Sequence, residues 1–247
     1  MKSAIENVVP SIGVDRVLVV MAKAPRPGAV KTRLLPGLSP TDVTAFYRCL
    51  LDDTLVLVRS LSGVEIAIMC PESDVDELAQ LTGRDVSVVA QKGEGLAAGL
   101  DSVFAHFAEN YQRRVIAFNS DSPHLPRPVL EDAFETLAAQ DVVVGPTNDG
   151  GYYLVGAKTS HPALFARDGM GTGSALENLL SRTRELGLSV GFAAPFYDID
   201  VADDLTRLRK ELSLAPAKAP RTAAWLEQWE ISAEQPRMST RTDSGGL

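Results

Sequence analysis

The residues best suited to chemistry lie in one short stretch, A-K-A-P-R-P-G-A-V-K-T-R-L at positions 22–34. It carries four cations and follows directly on an apolar run at 17–21, which does not alternate and so predicts a fully buried strand. A loop at the carboxyl end of such a strand lies where open α/β sheets bind ligands. Lysine and arginine donate charge-assisted hydrogen bonds to phosphate, and Gly28 lets the backbone approach closely. The stretch predicts a phosphate-binding loop, although a proline-rich basic loop can also be a solvated connection.

Two common kinds of phosphate site are disfavoured by the same stretch. It does not match G-x-x-x-x-G-K-[ST], the signature of a P-loop NTPase. It also lacks G-x-G-x-x-G, the signature of a dinucleotide-binding Rossmann site.

Two carboxylates are candidate metal ligands. Asp121 lies in N-S-D-S-P, after the fourth predicted strand, where it could ligate Mg²⁺ or Mn²⁺ or could cap the turn before Pro123. In D-I-D at 198–200, alternation places Asp198 and Asp200 on one face of an extended segment. Asp200 is the better candidate for a second ligand, because the acidic pair at 203–204 is explained by the first turn of a helix.

The sequence N-D-G-G-Y-Y at 148–153 is a hairpin signal with additional features. Asp-Gly between two strands is typical of a tight turn. A second glycine and two adjacent tyrosines exceed what a turn needs. We expect Asp149, Gly150, Gly151 and Tyr152 to contact an acceptor. Covalent catalysis is disfavoured, because no activated cysteine and no G-x-S-x-G elbow is present.

Alternating apolar and helical segments predict the architecture. Strands are expected near 16–21, 65–70, 85–90, 114–118, 141–145, 152–156 and 189–193, and helices near 40–58, 71–81, 96–110, 128–139, 174–186, 202–212 and 223–229. This order predicts an α/β fold: a single domain with a mainly parallel, mixed sheet and helices on both faces. The strand pair near 141–156 would be antiparallel. We expect a lead-in at 1–14, the domain at 15–231 and a disordered tail at 232–247.

The overall composition narrows the class of protein. Of 247 residues, 45% are apolar and 23% are charged, as in an ordinary globular domain. The net charge of −8 argues against nucleic-acid binding, so the cations of the first loop are a local exception. No signal peptide and no membrane helix is indicated, which predicts a soluble, cytoplasmic protein. The sequence does not indicate an oligomeric state.

Four motifs together resemble a known family: A-K-A-P-R-P-G-A-V-K-T-R-L-L-P-G-L, N-S-D-S-P, G-P-T-N-D-G-G-Y-Y-L-V-G and D-I-D-V-A-D-D-L. They resemble a bacterial family of the nucleotide-diphospho-sugar transferase (GT-A fold) superfamily. Its members are named glycosyltransferases or radical-SAM/selenodomain-associated transferases. The chain is more distantly similar to phospholactate guanylyltransferase.

The resemblance implies a single GT-A-like (Rossmann-like) domain with a nucleotide site, a metal and an acceptor. The catalytic residues would be Lys31, Arg33 and Asp121, and Asp121 and Asp200 would hold Mg²⁺ or Mn²⁺. The segment 91–100 would lie beside the nucleobase. The residues in contact with the nucleotide would be Ala22, Lys23, Gly28, Lys31, Thr32, Arg33, Gln91, Gly95 and Ser120.

Three functions remain open from the sequence. A nucleotidyltransferase acting on an NTP and a phosphorylated small-molecule acceptor is narrowly favoured, because dense cations suit a triphosphate and no general base is evident. A glycosyltransferase using a nucleotide-diphospho-sugar donor is the alternative that the family's names favour. A nucleotide-binding protein without catalysis is the third.

Overall fold

The computed structural model describes residues 14–35, 37–108, 113–165 and 173–234, with side chains to 229. Nearly all of the predicted lead-in, at 1–13, and most of the predicted tail, at 235–247, lie outside the described residues. The predicted domain is described over most of its length.

The described residues form strands and helices in the predicted order. The strands are β1 (Arg16–Met21), β2 (Glu65–Cys70), β3 (Ser87–Ala90), β4 (Arg114–Asn119), β5 (Val142–Pro146), β6 (Tyr152–Ala157) and β7 (Val190–Phe192). The helices are α1 (Pro40–Arg59), α2 (Val75–Thr82), α3 (Gly95–Phe107), α4 (Arg127–Ala139), α5 (Ala175–Glu185), α6 (Ala202–Leu214) and α7 (Pro220–Glu234). Helix α2 begins later than expected, because a 3-10 turn at Glu72–Asp74 precedes it.

Local signals in the sequence explain where the first strand and helix form. The four central residues of β1 are fully buried, as its unbroken apolar run predicts. The side chain of Ser39 accepts a hydrogen bond from the backbone N–H of Asp42 at 3.1 Å and so caps α1. Pro40 occupies the first helical position, where no backbone donor is needed.

The seven strands form one mixed sheet in the order β3-β2-β1-β4-β6-β5-β7. Strands β1 to β4 are parallel, and β5 is parallel to β7. Strand β6 is antiparallel to both of its neighbours, as the strand pair near 141–156 predicts. The predicted α/β fold class is therefore confirmed.

Helices cover both faces of the sheet. Apolar residues of α1, α2 and α4 pack on one face, and those of α3 and α5 pack on the other. Helices α6 and α7 add a further layer against α1. Within the described part of the chain, no helix combines the length and the apolar character that crossing a bilayer requires.

This topology brings six connecting segments to one edge of the sheet. Because β1 to β4 are parallel, the loops that follow them leave from the same edge. The β5–β6 turn at 147–151 lies at this edge too, since β5 runs in the direction of β4 and β6 returns from it. The segment after β7 completes this side with residues 193–201.

Candidate functional site

The basic loop after β1 is fixed to α2 by one carboxylate. Asp74 accepts a hydrogen bond from the backbone N–H of Ala24 at 2.9 Å and pairs with the Arg26 guanidinium at 2.7 Å. Arg26 also reaches Glu77 at 2.8 Å. Burial would raise the pKa of Asp74, but these donors hold it below its ordinary value. Arg26 therefore anchors the loop.

Lys31 joins the two carboxylates that the sequence singles out. Its ammonium nitrogen lies 2.7 Å from Asp121 Oδ2 and 2.6 Å from Asp200 Oδ1, and its side chain is only 5% exposed. Burial alone would lower the pKa of Lys31, but the two carboxylates outweigh burial and raise it above its ordinary value. The buried ammonium is therefore charged.

The backbone of Lys31 is in the left-handed region, with φ 47° and ψ 40°. Among the described residues it is the one non-glycine residue with positive φ. This conformation costs an L-residue about 1 kcal/mol, so the surrounding contacts must stabilise it. A 3-10 turn at Thr32–Leu34 follows and directs Arg33 toward Asp200, at 3.6 Å.

Backbone contacts hold the two acidic segments together. The N–H of Ile199 donates to the carbonyl of Asp121 at 3.2 Å, and the hydroxyl of Ser122 donates to the carbonyl of Tyr197 at 3.1 Å. Asp204 accepts from the backbone N–H groups of Asp200 and Val201, at 3.0 and 2.9 Å. Asp204 thus serves the start of α6, as its position in the sequence predicts.

A chain of hydroxyl groups leads from the basic loop to Asp121. The backbone N–H of Lys23 donates to the Tyr47 hydroxyl at 3.1 Å, which lies 3.2 Å from the Ser120 hydroxyl. The Ser120 hydroxyl is 3.4 Å from Asp121 Oδ1. An N–H can only donate and an ionised carboxylate can only accept, so each hydrogen bond of the chain is donated in the direction from Lys23 to Asp121. Burial raises the pKa of Tyr47 to about 12, which keeps its proton in place.

A cavity of about 780 Å³ lies over this edge of the sheet. It is lined by eight of the nine predicted nucleotide-binding residues: Ala22, Lys23, Lys31, Thr32, Arg33, Gln91, Gly95 and Ser120. Asp121 and Asp200 line it as well, beside Lys31. Gly28 does not line it; its φ of 75° suits a turn of the loop, and no neighbour lies within 4 Å of a Cβ built there.

A second cavity of about 550 Å³ shares Arg33, Asp121 and Asp200 with the first. Three of the four predicted acceptor residues line it: Asp149, Gly151 and Tyr152. Gly150 does not line it but shapes the turn: its φ is 86°, and a Cβ there would lie 1.9 Å from the Gly173 carbonyl oxygen.

Asp149 is held by its own turn. Its carboxylate accepts from the Thr147 hydroxyl and from the Gly151 N–H, the latter at 3.1 Å. The Thr147 hydrogen bond is the main reason that the pKa of Asp149 lies below its ordinary value, and Arg33 contributes to this. Asp149 is therefore a charged group at the rim of the second cavity.

Two residues of the site have little signal in the sequence. Tyr47 lies on the apolar face of α1 and is indistinguishable from a core residue until its hydroxyl partners are seen. Asp198 lines the second cavity, where burial and the nearby charges of Asp200 and Asp121 raise its pKa to about 6. The D-I-D alternation places Asp198 beside Asp200 but gives no reason to assign it a role.

The donor set suits a hard cation. Asp121 and Asp200 offer oxygen ligands, and Mg²⁺ typically takes one or two carboxylates from a protein together with phosphate oxygens. The Lys31 ammonium shows that positive charge is favourable between them. Within the described ranges, no group of three or more histidine, cysteine or acidic residues is arranged to hold a metal ion. An ion here would depend on ligands from the substrate.

Comparison with known proteins gives sequence and fold relatives. Residues 54–172 match the family described as "Uncharacterized protein conserved in bacteria (DUF2064)". The 2-phospho-L-lactate guanylyltransferase of Methanothermobacter thermautotrophicus (strain Delta H) is 29% identical over 180 residues, which cover 71% of this chain and 76% of that protein.

Solved structures extend the likeness over most of the chain. A provisionally named nucleotide-diphospho-sugar transferase from Desulfovibrio desulfuricans G20 is 25% identical, with a TM-score of 0.78 over 88% of this chain and 96% of that one. A 4-diphosphocytidyl-2C-methyl-D-erythritol synthase from Anaerococcus prevotii DSM 20548 shares the fold alone, at 11% identity and a TM-score of 0.54 over 81% of this chain and 96% of the other. The resemblance that the motifs predict is thus confirmed: residues 54–172 match the DUF2064 family, and the chain has the fold of the nucleotide-diphospho-sugar transferase from D. desulfuricans.

Proposed function

We propose that the protein is a nucleotidyltransferase that joins the nucleoside monophosphate of an NTP to a phosphorylated small-molecule acceptor and releases pyrophosphate. The observation that carries this proposal is the position of Lys31 and Arg33 in a cavity of about 780 Å³ at the ligand-binding edge of the sheet. Cavities of this size bind small ligands, and clustered cations suit a triphosphate. The guanylyltransferase relative supports the proposal, since its name describes nucleotidyl transfer to a phosphorylated acid.

The proposed chemistry needs positioning and charge more than reacting side chains. An acceptor phosphate oxygen attacks the α-phosphorus of the NTP. The bond from that phosphorus to the oxygen shared with the β-phosphate breaks, and pyrophosphate leaves with the electron pair. Lys31 and Arg33 stabilise the charge that grows on the phosphate oxygens. A divalent ion held by Asp121 and Asp200 would neutralise part of the same charge.

A glycosyltransferase is the second candidate. In that reaction an acceptor hydroxyl attacks the sugar carbon of a nucleotide-diphospho-sugar, and a base must take the hydroxyl proton. Asp198 offers a carboxylate in the second cavity, which the turn at 147–151 and the acidic pair also line. The name of the D. desulfuricans protein also favours this candidate.

A thermal-shift screen separates these candidates. The purified protein is heated with GTP, UTP, CTP, ATP or nucleotide sugars, with and without Mg²⁺ or Mn²⁺. A ligand at 100 times its dissociation constant adds about 2.7 kcal/mol of stability. Preference for an NTP supports nucleotidyl transfer, whereas preference for a nucleotide sugar supports glycosyl transfer. If no nucleotide shifts the melting temperature under any metal condition, the proposed site is wrong.

Matched arginine variants locate the ligand. Arg33→Ala should raise the dissociation constant of the preferred nucleotide about tenfold or more, because it removes a charge-assisted contact to phosphate. The thermal shift by that nucleotide should become smaller as a result. Arg48→Ala removes a cation of α1 that pairs with Asp52 and should leave the shift unchanged. A pyrophosphate-release assay with phosphorylated acids as acceptors then tests turnover, and binding without turnover would identify a nucleotide-binding protein instead.

A further inference from the structure

We infer that the Lys31 ammonium is an internal counter-ion that holds Asp121 and Asp200 in place of a divalent cation, and that it leaves them for the nucleotide phosphates when the cation and the nucleotide bind together. The inference concerns how the site is regulated, and it rests on the proposed function only for the destination of the ammonium.

The Lys31 ammonium and a divalent cation compete for the same two carboxylates. The ammonium contacts one oxygen of each carboxylate, at 2.7 Å from Asp121 and 2.6 Å from Asp200. The second oxygen of Asp121 faces the Ser120 hydroxyl, and that of Asp200 faces Arg33. A divalent cation held by both carboxylates through the facing oxygens would need the space between them, which the ammonium fills.

Lys31 compensates the negative charge of the two carboxylates. Asp121 and Asp200 converge within the reach of one ammonium, and like charges at such separations repel strongly. Lys31 removes this repulsion without a metal. Conversely, an ion arriving alone would displace a 5% exposed ammonium and leave it without a partner, which is costly. Nucleotide phosphates supply the missing partner, so cation and nucleotide should bind cooperatively.

The backbone conformation of Lys31 favours release of its side chain. Its left-handed conformation is disfavoured for a residue with a side chain, and the two ion pairs hold the side chain that this backbone directs inward. Loss of those pairs removes the stabilisation, so release is assisted by the backbone. Thr32 and Arg33 line the same cavity immediately after Lys31, which keeps the freed ammonium beside the bound phosphates.

Metal binding without nucleotide tests the inference directly. Mn²⁺ alone is titrated into wild type, Lys31→Met and Lys23→Met, and free Mn²⁺ is followed by electron paramagnetic resonance. Lys31→Met keeps the side-chain length and removes the charge. Lys23 lines the same cavity with an exposed side chain, so Lys23→Met controls for a general loss of positive charge.

We expect Lys31→Met to bind Mn²⁺ about ten- to a hundredfold more tightly than wild type, the factor that one or two charge-assisted hydrogen bonds contribute. Lys23→Met should stay within about twofold of wild type. Equal dissociation constants for wild type and Lys31→Met would overturn the inference, as would an equal gain in both variants. The measurement uses no nucleotide, so its outcome is separate from the fate of the proposed function.

A second variant protects the test against misfolding. Lys31→Gln also removes the charge but retains a polar end, and its melting temperature is measured with and without Mn²⁺. The uncompensated carboxylates should lower its stability, and Mn²⁺ should restore more of it than in wild type. A Mn²⁺-induced shift no larger than that of wild type contradicts the role of Lys31.

Discussion

The chain of hydrogen bonds that ends on Asp121 can be interrupted by removing one oxygen atom, that of the Tyr47 hydroxyl. Tyr47→Phe removes the hydroxyl that accepts from the Lys23 N–H and donates to Ser120, and it keeps the ring among its apolar neighbours. One part-buried donor then lacks an acceptor, which should cost about 1–3 kcal/mol of the free energy of unfolding. The Ser120 hydroxyl also loses the donor that directs its own proton to Asp121.

The loss should extend to ligand binding. Groups that orient a metal ligand typically contribute ten- to a hundredfold to affinity, so we expect Tyr47→Phe to weaken Mn²⁺–nucleotide binding about tenfold. Urea denaturation measures the first effect, and calorimetric titration with Mn²⁺ and the preferred nucleotide measures the second. Both measurements are made at neutral pH.

Tyr153→Phe is the matched control. Tyr153 is also buried, and its hydroxyl donates to the Ala194 carbonyl at 2.7 Å and not to Ser120 or Asp121. It should lose similar stability with little change in Mn²⁺–nucleotide affinity. If both variants lose the same affinity, the hydroxyl chain does not orient Asp121 and the reasoning is refuted.

Three further predictions concern stability and are read from urea denaturation. Burial lowers the pKa of His124 from 6.5 to about 4. Between pH 6.5 and about pH 4 the unfolded chain therefore binds more protons than the folded protein. The free energy of unfolding should fall by roughly 3 kcal/mol as the pH drops through this range. His124→Phe should flatten that dependence, and an unchanged slope would contradict it. Gly28→Ala should lower the free energy of unfolding by about 1 kcal/mol, because only its positive φ opposes a side chain. Gly150→Ala should lower it by about 3 kcal/mol or more, because the new Cβ would also collide with the Gly173 carbonyl. Equal losses in the two variants would contradict this prediction. Asp74→Ala should cost about 1 kcal/mol at pH 7 for the lost Ala24 hydrogen bond. Because the folded pKa of Asp74 is lowered, the difference from wild type should shrink as the pH falls through that pKa, and a difference that does not change at low pH would argue against it.

The elements that could be predicted from the sequence are those whose structure depends on residues close to one another in the chain. The apolar run of β1 needs no information beyond its own residues, because burial on both faces removes any alternation. The same holds for the Ser39 cap of α1 and for the turn at 147–151, where Asp and Gly specify the backbone. The edge of the sheet on which the motifs meet follows from the parallel strand order.

The contacts within the site depend on groups that are distant in the chain. Lys31 and Asp200 are 169 residues apart, and their pairing requires the segment after β7 to return beside β4. Tyr47 serves the site from a helix whose pattern describes only packing. Arg26 and Arg33 are both arginines of the first loop. Arg26 pairs with Asp74 and so anchors the loop, whereas Arg33 lines the cavity. Residue type alone cannot distinguish these two positions.

The reversed strand β6 has a consequence for how such a protein can change over time. It separates β1–β4, whose loops form most of the first cavity, from the β5–β6 turn, which forms a wall of the second. Substitutions at 147–152 can reshape the second cavity without altering the pairing of β1 with β2 and β4. The fold is therefore modular: one half can keep the first cavity unchanged while a short turn in the other half reshapes the second.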